Sequence, residues 1–154
     1  MDESDIVLCS QFSVIGIKFV CISVIGYTQK RMIKDVTDLE VYRIALDNLE
    51  PLYKLANQLP QTHRRLKYQA IEAGEKIAPQ IAEGFGKKRS PREFCRYLSM
   101  SLGSSDEIIT HLREIKIVAK IYTNINPADC DDLIEKYKLL SKKLNKLLTS
   151  WQKF

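Results

Sequence analysis

Metal-binding and redox spacings are missing from this chain. Its four cysteines, Cys9, Cys21, Cys95 and Cys130, form no C-x-x-C pair. Neither a metal site nor a disulfide scaffold is indicated, and reduced thiols in a cytoplasm are the simplest account. Six glycines and five prolines in 154 residues argue against collagen, a loop-rich sandwich or a disordered chain. There are two histidines, His63 and His111, and neither has Glu three residues before it. The paired E-x-x-H motif of carboxylate-bridged di-iron bundles is therefore absent.

Other catalytic patterns fail residue by residue. A phosphate-binding loop G-x-x-x-x-G-K-[ST] laid on Gly86-Lys87 finds Ile81 where the first glycine belongs and Lys88 where the hydroxyl belongs. An arginine-to-histidine ribonuclease signature finds Asp106, Ser105 and Ser104 five to seven places before His111. A Cys95–His111 nucleophile pair would span about 24 Å of helix. Glu107 and Glu114 on the turns beside His111 suit surface ion pairing better. The chain reads as non-catalytic, with no cofactor and no metal.

What is present is enough apolar content for one cored domain, 45% of residues, and a net charge of +5. The first 31 residues contain Asp2, Glu3 and Asp5 against Lys18, Lys30 and Arg31, so the excess falls downstream. An anionic partner is compatible with that balance.

The segment from Ile6 to Tyr27 is largely apolar and long enough to cross a bilayer, but Ser10, Gln11, Ser13 and Ser23 dilute it. Lys18 inside it, at about 2.5–3.5 kcal/mol on insertion scales, makes a membrane span unfavourable. The acidic opening MDESD has the wrong sign for a signal peptide. Residues 1–31 are read as an appendage, translated from an upstream start before Met32 and not native to the protein. A weak membrane anchor and a docked strand or helix are the alternatives. Residues 32–154 form the domain.

Four helical patterns follow. The first, about 38–57, carries Leu39, Tyr42, Leu46, Leu49, Tyr53 and Ala56 at spacings of three or four, with Thr37 or Asp38 as cap and a kink or break at Pro51. The second, about 64–83, buries Leu66, Ala70, Ala73, Ile77 and Ile81. Gly74 and Ala78 allow close approach, and Pro79 predicts a bend. The third starts at Ser90-Pro91-Arg92-Glu93, a capping-box signal, and runs some 30 residues along Phe94, Leu98, Leu102, Ser105, Ile109, Leu112, Ile115 and Ala119. Its small run from Ser101 to Ser105 lets a neighbouring backbone come close. The fourth begins at Asn126-Pro127 and repeats Leu133, Tyr137, Leu140, Leu144, Leu147 and Trp151 as a heptad seam, with Lys136, Lys142, Lys143, Lys146 and Lys153 roughly opposite. Short connections imply an all-α, antiparallel up-down-up-down four-helix bundle.

The join between the second and third patterns, PQIAEGFGKKRSPREF, concentrates the charge. Lys87, Lys88, Arg89, Arg92 and Arg96 lie within ten residues with Glu93 alone to offset them. Arg92 and Arg96 share a face, and the helix start at Ser90 points free amides at the same corner. Such a cluster suits a sugar-phosphate backbone and carries no base code. The turn residues Glu83, Gly84, Phe85 and Gly86 are read as structural. The two glycines take up the left-handed conformation that ends a helix, and Glu83 accepts hydrogen bonds from amides around Gly86 or from a neighbouring helix end. Tyr97, Met100, Ile108 and Tyr122 beside the third stripe are surplus apolar surface for self-association.

Ile81-Ala82-Glu83-Gly84-Phe85-Gly86, then Glu93-Phe94 with Leu98, then Gly103-Ser104 with Glu107, resemble the hallmark region of a bacterial four-helix-bundle family. That family was first noticed in intervening sequences of 23S ribosomal RNA genes. Asp38-Leu39-Glu40-Val41-Tyr42 with Ala45 is similar to its opening motif, and the likeness runs from near Lys34 through the domain. Gln80 stands where relatives carry Asn, and Pro79 sits one place later than their proline. The resemblance implies a homopentameric ring with a positively charged surface and no assigned enzyme chemistry. It implies no settled activity, ribosomal RNA association being the one suggested, while binding to RNA or DNA backbone is the expectation drawn from the basic cluster. Accessory proteins of diversity-generating retroelements also look similar, which implies a reverse-transcriptase adaptor as the rival reading.

Overall fold

A computed structural model describes residues 33–153. The segment 1–31 and the expectations attached to it lie outside the described residues. Five α-helices account for most of the rest: α1 Glu40–Asp47, α2 Leu49–Ala56, α3 Arg64–Gly86, α4 Pro91–Val118 and α5 Pro127–Trp151. Short 3-10 turns at Val36–Asp38 and Gln61–His63 lead into α1 and α3. No strand occurs among the described residues. With α1 and α2 counted as one interrupted helix, the architecture is the expected four-helix bundle.

That interruption follows from Pro51, which has no N–H to offer the carbonyl four residues back. The helix breaks at Asn48, whose angles stay right-handed (φ −78°, ψ −14°), so the fault is one residue long. The cap differs from expectation. Neither Thr37 nor Asp38 caps α1, whose N-cap Leu39 makes no side-chain bond. Asp35 and Asp38 instead form a capping box around the preceding 3-10 turn. The buried stripe differs too. Leu46 is exposed and Tyr42, Leu49 and Tyr53 are half-buried, while Val41, Ala45, Asn48, Leu52, Leu55 and Leu59 face inward.

α3 runs three residues further than expected and passes through Pro79 without ending. Neither Gly84 nor Gly86 adopts a left-handed angle, and both remain helical. Gly84 serves packing: a Cβ there would fall 2.6 Å from Tyr97 Cβ and 3.1 Å from Phe94 Cδ2. The helix ends at Lys87, whose amide reaches back to the carbonyls of Glu83 and Gly84.

α4 packs between α3 and α5, and its small residues make both contacts close. Ser101 and Ser105 are fully buried. Their hydroxyls lie 3.5 Å from the Ile77 carbonyl on α3 and 3.4 Å from the Tyr137 carbonyl on α5. Ser90 caps α4, its Oγ accepting from the Glu93 amide at 3.4 Å, with Pro91 at the first helical position. The capping box is only half made: Ser90's own amide donates to the Lys87 carbonyl, and Glu93 pairs with Arg96. Asn126 caps α5 by accepting from the Ala128 amide. The α5 seam buries Leu133, Tyr137, Leu140, Leu144 and Trp151 as expected, with Leu148 added and Leu147 half-buried.

The two ends of the bundle are closed differently. At one, Lys116 pairs with Asp131 at 2.6 Å and Asn124 donates to the Gln58 carbonyl at 2.7 Å. At the other, Trp151 meets Phe94 edge to face at 4.7 Å between ring centres, a geometry worth about 0.5–1.5 kcal/mol beyond its buried area. Here the start of α4 and the end of α5 come together. Lys143 also reaches Glu40 at 2.8 Å, tying α5 to the start of α1. No helix among the described residues is long and apolar enough to cross a membrane.

Candidate nucleic-acid interface

All five basic side chains of the α3–α4 corner lie at the Phe94–Trp151 end, but they are not equivalent. Lys87 is engaged. Its ammonium donates to Glu83 Oε1 at 2.8 Å and to the Tyr97 hydroxyl, which itself donates to the same Glu83 oxygen. The Lys87 nitrogen also stands 4.4 Å from the centre of the Tyr97 ring. This closed triangle holds Glu83 below the usual carboxylate range, first through Lys87 and then through Tyr97. It raises Lys87 above its ordinary value, with Glu83 the larger cause.

Glu83 is thus tied to a neighbouring helix, as one form of the expectation had it. It does not accept from the amides around Gly86, and its side chain is 54% exposed rather than buried. The reason is geometric: with α3 continuous to Gly86, those amides are committed to the helix or turn, and Tyr97 on α4 is the nearest donor across the corner.

Arg96 is half engaged, 3.5 Å from Glu93 and stacked 5.6 Å from the Tyr97 ring. Lys88 covers the Phe85 ring at 3.5 Å. Its charge also gives the smallest pull on Asp35, whose carboxyl is held low mainly by Thr37's hydroxyl and amide. Arg89 and Arg92 are exposed, with no carboxylate partner among the described residues. The start of α4 offers little to an anion, because Pro91 has no N–H and Ser90 already occupies Glu93's. Side-chain charge therefore makes the corner, more than the helix terminus does.

The remaining chemical candidates fall into structural roles. His111 Nδ1 sits 3.0 Å from Glu114, and Nε2 lies 3.8 Å from Glu107. Cys130 is buried, its thiol pushed up by desolvation first and by Asp131 next. No group of three or more metal-ligating side chains occurs among the described residues.

The last turns of α3 at Ile81–Gly86, their packing on Phe94 and Tyr97, and the basic corner together bear the hallmark motif. The model of the family described as 23S rRNA-intervening sequence protein matches residues 37–146. The chain belongs to that family. No curated protein matches the chain. The matched span starts within the first 3-10 turn and ends inside α5, so it takes in every helix of the bundle.

The lysines of α5, opposite its heptad seam, lie outside the hallmark motif. Lys142, Lys146 and Lys153 have no carboxylate partner among the described residues, whereas Lys143 is paired. The available signal was the four-residue step from Lys142 to Lys146, where the nearest acid on that face of α5, Glu135, lies two turns back and is paired with Lys138. Only the Phe94–Trp151 contact shows that this ridge abuts the corner.

Proposed function

We propose that this family member is a non-catalytic, oligomeric bundle of the cytoplasm that binds the sugar-phosphate backbone of RNA or DNA with little sequence preference. The contact side chains are Lys87, Lys88, Arg89, Arg92 and Arg96, with Lys88, Arg89 and Arg92 foremost. One observation carries the reading: three neighbouring cations stand at one corner with no carboxylate salt bridge among the described residues, while the acids nearest them are already engaged. Cations of this kind release counterions from a phosphate backbone and read no base edge.

Self-association supports the reading through avidity, since a closed ring repeats the corner in every subunit. The number five is an inference from the resemblance. The apolar surface available for assembly differs from expectation. Tyr97 and Ile108 are buried within the bundle, leaving Met100 of that set exposed. Ile117 and Ile121 are the most exposed large apolar side chains, at 61% and 71%. Ile117 lines a shallow groove between α3 and α4 together with His63, Leu66 and Val118.

The test is a titration of RNA and DNA of unrelated sequence against the parent and a variant with all five corner cations changed to Gln. Binding that falls steeply with salt in the parent and is lost in the variant supports the proposal. Equal binding by both returns the corner to a solvated surface and favours the second reading, a protein adaptor for a reverse transcriptase.

A further inference from the structure

Granting that reading, the basic end is wider than the α3–α4 corner, and its shape selects among nucleic acids. Lys142 and Lys146 stand one helical turn apart on the outward face of α5, and Lys153 follows just past its end. All three are exposed, and none is paired with a carboxylate among the described residues. Lys54, Lys76, Lys87, Lys116, Lys138 and Lys143 each have such a partner. Like charges one turn apart repel along a helix. Complementing the helix dipole does not account for Lys142 and Lys146, which precede the last turn of α5.

Trp151 packs on Phe94, two residues from Lys153 on one side and from Arg92 on the other. The ridge and the corner therefore adjoin. From Lys142 to Lys153 the ridge runs about 16 Å at 1.5 Å per residue, long enough to follow several phosphates of a double helix that carries one charge per about 1.7 Å.

Proteins that hold single strands add exposed aromatic faces on which unpaired bases stack. This end offers none among its described rings. Phe94 and Trp151 are spent on each other, and Tyr97 is buried beneath Lys87. Phe85 is covered by Lys88, and Tyr42, like Phe85, is partly buried against the core.

We propose that the corner and the α5 ridge form one surface for the backbone of a nucleic-acid duplex, with Lys142, Lys146 and Lys153 contacting phosphates beyond those reached by Arg89 and Arg92. Bases held in a stack need no aromatic platform, and a duplex presents its phosphates at fixed spacing to fixed cations. The surface makes no base contacts, so duplex RNA and duplex DNA are both ligands.

The experiment uses the full chain and four probes: an RNA duplex, a DNA duplex and one strand of each, titrated at several salt concentrations. The triple variant Lys142→Gln, Lys146→Gln, Lys153→Gln is compared with the parent and with Arg64→Gln, Lys120→Gln, Lys136→Gln, which removes the same charge elsewhere. Both duplexes are expected to bind at least tenfold more tightly than their single strands. The α5 variant is expected to lose about tenfold or more in duplex affinity, with a log-log salt slope flatter by about 2 to 3 at roughly 0.9 per phosphate. The control is expected to stay within about twofold, at this same salt dependence. A single strand bound as tightly as its duplex overturns the duplex assignment. An α5 variant indistinguishable from the parent overturns the ridge while leaving the corner reading intact. A parent that binds none of the four probes overturns both.

Discussion

Gly84 of α3 lies directly against Tyr97 of α4, so closely that a methyl group on Gly84 would stand 2.6 Å from the Tyr97 Cβ. Because that Cβ is fixed to the backbone of α4, no rotamer change relieves the contact. The two helices must separate or the turn between them must distort.

Gly84→Ala is therefore expected to destabilise the fold by about 1–3 kcal/mol, the usual range for overpacking. Gly86 provides the contrast. It is helical, has no positive φ, and a Cβ there would meet nothing within 4 Å. Gly86→Ala is expected to be neutral or to stabilise by up to about 1 kcal/mol, through the smaller entropy of the unfolded chain. Urea melts of both variants check this; equal destabilisation would mean that Gly86 also has a packing role.

The Glu83–Lys87–Tyr97 triangle gives a dependence on acid. Glu83's carboxyl is depressed from its ordinary 4.5 by Lys87 first and Tyr97 second. A depressed acid contributes stability that is complete above the ordinary value and is lost as pH falls through the folded-state value. Tyr97→Phe removes one donor and retains the packed ring. Its melting temperature should lie slightly below the parent's at about pH 7, and the gap should close on acidification below about pH 4. A gap independent of pH would assign the loss to packing and not to the hydrogen bond.

Tyr137 of the α5 seam is fully buried beside Gly74, and its hydroxyl has no hydrogen-bond partner among the described residues. Burial pushes its phenol well above the ordinary 10.0. An unpartnered buried hydroxyl costs about 1–3 kcal/mol, so Tyr137→Phe should melt at or above the parent temperature. At alkaline pH the sign is also fixed. The unfolded phenol ionises near its ordinary value while the folded one holds its proton, so the parent loses stability above about pH 10. The variant should lose less. Thermal melts between about pH 7 and pH 11 decide both points.

The fold was largely legible because three of four patterns had a single apolar stripe and two of those had standard start signals. Ser90-Pro91 and Asn126-Pro127 mark their helices directly, and the α5 seam is the heptad read from spacing. The first pattern misled because two stripes compete there at the same spacing. Of the expected set Leu39 and Ala56 are buried but Tyr42, Leu46, Leu49 and Tyr53 are not, and Val41, Ala45, Leu52, Leu55 and Leu59 complete the core, with polar Asn48 interrupting their seam. At the turn, glycine pointed to a left-handed helix end, whereas Gly84 is small because α4 crosses there. That distinction depends on Phe94 and Tyr97 folding back, a tertiary fact. The corner's charges were visible, but the cancellation of Lys87 by Glu83 required knowing that α3 stays helical as far as Gly86, which brings its C-cap Lys87 one turn from Glu83.

Ile117 and Ile121, one turn apart at the end of α4, offer the last test. Burying each side chain at an interface is worth about 1.5–3 kcal/mol, at roughly 25 cal/mol per Å². Glutamate at both positions opposes that burial with two charges while leaving the bundle core, which neither residue enters, untouched. Ile117→Glu, Ile121→Glu should therefore keep the parent's helical content and melt cooperatively, yet sediment as a smaller species. The association constant should fall by more than about 100-fold, since each 1.4 kcal/mol is a factor of ten. Sedimentation at several concentrations separates the possibilities. A parent that is monomeric at micromolar concentration sinks the assembly proposal outright. A variant that matches the parent's mass moves the interface to Leu46 or Leu139, which are also exposed. If the smaller species also loses affinity for nucleic acid with its corner cations intact, the avidity argument gains the support it needs, because only the number of linked copies has changed.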